Sequence, residues 1–86
     1  MDIMIHHENN EYEILLISNY KNNEYILFKK MPNGQKFECP SSGKFHNAEI
    51  MSESLRDAIG YGPAKDLLIR YGIPEDHNLF KLGRKG

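Results

Sequence analysis

Two short runs, Ile14-Leu15-Leu16-Ile17 and Ile26-Leu27-Phe28, are apolar at every position. Successive side chains of a strand face opposite sides. A run without alternation therefore puts apolar groups on both faces of a sheet. Turn-forming residues bracket both runs: Asn9-Asn10, Asn22-Asn23 and Pro32-Asn33-Gly34. The spacing predicts strands at Ile3–His7, Tyr12–Tyr20, Glu24–Met31 and Gln35–Cys39, joined as a four-stranded antiparallel meander.

Two-residue turns would pair Ile5 with Ile14 and Tyr20 with Tyr25, with the asparagines at positive φ. A turn closed by a glycine bulge at Pro32–Gly34 would pair Met31 with Gln35. One face then carries Ile3, Ile5, Ile14, Leu16, Tyr25 and Leu27. The other carries Met4, Leu15, Ile17, Ile26 and Phe28 at its centre and Glu11, Glu13, Lys30 and Lys36 at its rim.

Helical periodicity takes over after the meander. Ala64, Leu67, Leu68 and Tyr71 fall at i, i+3, i+4 and i+7, which predicts a helix from Pro63 that ends at Gly72 before Pro74. Ala48, Met51, Leu55, Ala58 and Ile59 share a face of a preceding helix if it starts near Asn47. A shorter helix capped by Ser52 would leave residues 44–51 irregular or as a fifth strand. The expected fold is α+β, of ββββαα order. Two short helices pack on one sheet face through Leu55, Ile59, Leu67, Leu68 and Tyr71. Residues 1–74 form the domain. Residues 75–86 form a docked segment with a frayed basic tail, anchored by Leu79, Phe80 and Leu82.

A chain of 86 residues has room for one small domain and a thin core. Two short helices cover only one face of such a sheet, so Leu15, Ile17, Ile26 and Phe28 need a second cover. Leaving four such side chains wet forgoes about 6–12 kcal/mol, comparable to the whole stability of a small domain. Three covers are open: the C-terminal segment, a second copy of the chain, or a different protein. An apolar patch with a charged rim is the usual mark of an interaction site.

Charge narrows the partners. Eleven Lys+Arg against twelve Asp+Glu give a net charge of −1, unlike the strongly basic balance of a general nucleic-acid binder. The distribution is uneven. Asp2, Glu8, Glu11 and Glu13 make the start acidic, whereas Lys21, Lys29, Lys30, Lys36 and Lys44 make the middle basic. Lys29, Lys30, Lys36 and Lys44 alternate with Phe28, Phe37 and Phe45, the ingredients of a single-strand nucleic-acid platform. Lys65 and Arg70 lie on the last helix, where a helix-turn-helix would place contact residues. Asp57 and Asp66 stand against that reading.

Catalytic and metal signatures are weak. Gly43-Lys44-Phe45 lacks both the first glycine of a P-loop and its Ser or Thr. His6 and His7 point to opposite faces of a strand and cannot easily share one ion. Cys39 is the sole cysteine, with no nucleophile signature around it and no disulfide partner, which suits a reducing cytoplasm. Glu11 and Glu13 read as solvated edge charges. No apolar run reaches membrane-spanning length, and the start lacks the pattern of a signal peptide.

The sequence thus predicts a cytoplasmic, non-catalytic binding protein without a cofactor or metal. It would act as a regulator or inhibitor in the style of phage and mobile-element proteins. A partner protein would be occluded or allosterically blocked through Leu15, Ile17, Ile26, Phe28, Lys30 and Lys36. The alternatives are a nucleic-acid-binding regulator using Lys29, Lys30, Lys36, Lys44, Lys65 and Arg70, and a structural homodimer.

Overall fold

The computed structural model describes residues 2–80. Strands β1 (Ile3–Glu8), β2 (Tyr12–Ser18), β3 (Asn23–Lys30) and β4 (Lys36–Glu38) form the expected antiparallel meander. A fifth strand of two residues, β5 (Gly43–Lys44), pairs with β3 on the edge it shares with β4. Helices α1 (Ala48–Ile59) and α2 (Tyr61–Arg70) follow, and a 3-10 turn at Asn78–Phe80 ends the described chain.

The turns differ from their expected form, and the registers shift with them. Among the described residues, no non-glycine residue has positive φ. Instead, the Asn9 side chain accepts from the N–H groups of Glu11 and Tyr12, and the Asn19 side chain accepts from those of Lys21 and Asn22. These wider turns pair Ile5 with Leu16 rather than Ile14, and Tyr25 with Leu16 rather than Tyr20. Both shifts are even, so every side chain keeps its expected face. The Pro32–Gly34 turn has the expected geometry. Gly34 has φ 89°, and the Met31 N–H donates to the Gln35 carbonyl at 2.8 Å.

Residues 36–45 track along β3 with one interruption. Beyond β4, the Cys39 N–H donates to the Leu27 carbonyl. The chain then bulges out at Pro40-Ser41. Ser42 Oγ fills the gap, accepting from the Leu27 N–H at 2.8 Å and donating to its carbonyl at 3.3 Å. Pairing resumes at β5 and ends with the Phe45 N–H on the Asn23 carbonyl.

Asn47 caps α1, its side chain accepting from the Ile50 N–H. The longer of the two expected first helices is therefore the one that forms. Ser52 is buried and bonds back to the Ala48 carbonyl instead of capping. α2 starts two residues before Pro63, which still lies within the first turn, where its missing N–H does no harm. At the other end Gly72 takes φ 84°, its N–H donates to the Ile69 carbonyl, and the Ile73 N–H reaches the Leu68 carbonyl. That pair of bonds is a Schellman motif.

The core lies between the inner sheet face and the helices. Ile5, Ile14, Leu16, Tyr25 and Leu27 meet Met51, Leu55, Ala64, Leu67 and Leu68 there. Tyr25 stacks on Phe45 at 5.5 Å, and its hydroxyl meets Ser54 Oγ at 2.6 Å. Tyr71 departs from its expected core place. It caps α2 and is 44% exposed, with its hydroxyl on the Sheet edge at β1. Ile59 is only partly buried. Leu79 is fully buried against the helices, and Phe80 packs beside the core. The C-terminal segment thus docks on the helical side; Leu82 and the basic tail lie outside the described residues. No described helix is long and apolar enough to cross a membrane.

The outer sheet face as a candidate functional site

The meander brings Leu15, Ile17, Ile26 and Phe28 together on the face opposite the helices. Cross-strand pairing sets Met4 beside Ile17, and Leu15 beside both His6 and Ile26. Phe28 lies between Glu13 and Glu38. Met4 is 73% exposed, Leu15 37% and Ile26 39%; Ile17 and Phe28 are half-buried. Nothing described covers this stripe. The C-terminal cover fails for residues 75–80, because Leu79 and Phe80 are engaged on the helical side.

The rim is charged, and its charges answer one another. Lys36 Nζ donates to Glu13 Oε1 at 2.7 Å, and His6 Nε2 lies 2.8 Å from Glu13 Oε2. Hydrogen bonds from Lys36 and then from His6 hold the Glu13 carboxyl at about 2, well below its ordinary range. The same bond to Glu13 raises the Lys36 pKa. Lys30 pairs with Glu8, reaching from β3 to β1 over β2. At the opposite end Lys44 lies 3.9 Å from Glu24. The array that His6 and Glu8 complete has no signature in sequence spacing, because it depends on the cross-strand reach of Lys30 and Lys36.

The six basic side chains are not brought together. Lys30 and Lys36 are ion-paired on the outer face, and Lys44 lies at its far end. Lys29 points to the opposite side of β3, into a groove beside α1. Lys65 and Arg70 lie on α2, where Arg70 shares a cavity with His7 and Asp66. The cavity beside Cys39 has no histidine among its lining residues. No group of three metal-ligating side chains occurs among the described residues.

The chain matches no protein-family model, no curated protein and no solved structure among those compared with it.

Proposed function

We propose that the chain is a non-catalytic regulator or inhibitor that binds a partner protein through its outer sheet face. The observation that carries this reading is the stripe of Met4, Leu15, Ile17, Ile26 and Phe28, which the described residues leave open because their helices and 3-10 turn sit on the other side. The rim supports a protein over a nucleic acid. Lys30 and Lys36 already neutralise Glu8 and Glu13, which leaves them less positive charge for phosphates.

The free thiol of Cys39 suits a reducing compartment.

The test pairs Leu15→Glu and Ile26→Glu with the wild type. Both variants keep the fold, lose the partner and stay monomeric at all concentrations. Wild-type binding weakens little between low and high salt. A steep salt dependence would transfer the function to nucleic acid, and a wild-type dimer broken by either variant would make the face a self-interface.

A further inference from the structure

The two edges of the sheet are built differently. The edge formed by β4 and β5 carries the devices that stop a strand edge from pairing. β4 has three residues and β5 has two, the chain bulges out between them at Pro40-Ser41, and Lys36 and Lys44 stand on them. β1 has six residues, with no proline and no lysine. Its ladder with β2 runs unbroken from Ile3 to Glu8.

The open groups of β1 follow from that ladder. The Asn9 N–H donates to the Tyr12 carbonyl at 2.9 Å. Antiparallel pairs alternate between bonded and unbonded, so Ile3, Ile5 and His7 bond to β2. Met4, His6 and Glu8 turn their N–H and C=O groups outward, repeating about every 6.7 Å. The Tyr71 hydroxyl, arriving from the end of α2, donates to one of them, the His6 carbonyl, at 3.2 Å. Among the described residues no other hydrogen bond reaches these groups. Between the first half of β1 and the Tyr71–Pro74 segment lies a cavity of about 280 Å³ walled by Ile3, Ile5, Ile73 and Pro74. On the outer side of the same edge Met4 is largely exposed.

We infer that the β1 edge takes an extended segment of a partner protein as a sixth strand. Three observations select that occupant. Donors and acceptors that repeat every second residue in the plane of the sheet match the backbone of a strand. Side chains of an added strand alternate, so every second one faces the apolar cavity and the others lie beside Met4. A second copy fits less well, because β1 and its flanks carry Asp2, Glu8 and Glu11 with no lysine or arginine, and two copies would set like charges together. The edge lies in the plane of the sheet, so this site stands apart from the outer face and is tested without it.

The probe is a nine-residue Val/Thr peptide flanked by lysines and N-methylated at every second residue, so that only one of its edges pairs. Its control is N-methylated at every residue. Each is titrated into the ¹⁵N-labelled protein. The one-edged peptide moves the amides of Met4, His6 and Glu8 downfield and slows their exchange, and the control does neither. Met4→Pro removes an outward N–H without touching the bonds to β2, and weakens binding about tenfold. Tyr71→Phe frees the His6 carbonyl and strengthens binding, and serves alone if Met4→Pro misfolds. Unmoved edge amides, equal response to both peptides, variants that bind like the wild type, or shifts confined to Leu15 and Ile26 would overturn the assignment. So would protection of the edge amides by the protein alone at high concentration, which would give the edge to a second copy.

Discussion

Lys36 on β4 reaches over β3 to donate to Glu13 on β2, at 2.7 Å. With His6 on the other carboxylate oxygen, Glu13 ties three strands together on the surface proposed to meet the partner. A carboxylate held at about 2 in the fold, against 4.5 ordinarily, stabilises the fold above about pH 4.5 and loses that contribution as the pH falls through about 2. Glu13→Gln is therefore less stable than wild type by a constant margin at neutral pH. The two converge between 4.5 and 2. Urea midpoints across that range check this, and added salt shrinks the margin because the pair is at the surface.

His7 reports on the contact between β1 and α2. Its ring lies 6.0 Å from those of Tyr12 and Tyr71, with Nδ1 3.3 Å from the Tyr71 hydroxyl. Partial burial, then the Arg70 and His6 charges, lower its pKa. The neutral ring is thus the favoured form. Its contribution to stability is present above the ordinary 6.5 and is lost as the pH falls through the lowered value. Arg70→Gln raises the His7 midpoint, which an NMR titration of the ring protons reads directly.

Ser42→Ala removes the hydroxyl that bridges the Leu27 N–H and carbonyl where the edge strand is interrupted. The Leu27 carbonyl keeps the Cys39 N–H, but leaving the Leu27 N–H without a partner costs about 1–3 kcal/mol. Denaturant unfolding gives the loss, and faster amide exchange at Leu27 localises it.

Gly72→Ala strains the end of α2, since φ of 84° disfavours a side chain although nothing lies within 4 Å of the added methyl. A loss of about 1–2 kcal/mol is expected, from backbone strain alone. Thermal unfolding measures it, and a variant as stable as wild type would mean that the helix end rearranges.

The order of elements was legible because each has a local cause. The runs at Ile14–Ile17 and Ile26–Phe28 define the two central strands, and Ala64, Leu67 and Leu68 define α2. Registers were misjudged because Asn9 and Asn19 close their turns through side-chain oxygens, a choice that residue type alone leaves open. The faces were unaffected, since both errors were even numbers of residues. A fifth strand was expected only within residues 44–51 and only with the shorter helix; β5 forms at Gly43–Lys44 beside the longer one, because two residues carry no periodicity and Ser42 bridges the bulge before them. Tyr71 continued an apolar stripe on paper, but it falls one residue past the last turn of α2. The outer stripe was visible in the sequence. The ion pairs that span a strand and the groove beside α1 were not, because both follow from how the sheet twists and how far the helices cover it.

The central claim is that the outer face meets a different protein. A photo-crosslinking residue placed at Leu15 or Ile26, with Ile69 on α2 as the control, tests it most directly in cells that express the chain. The account predicts an adduct with another protein from both sheet positions and none from Ile69. Adducts only of twice the chain's own mass, or none from the sheet face, would contradict it.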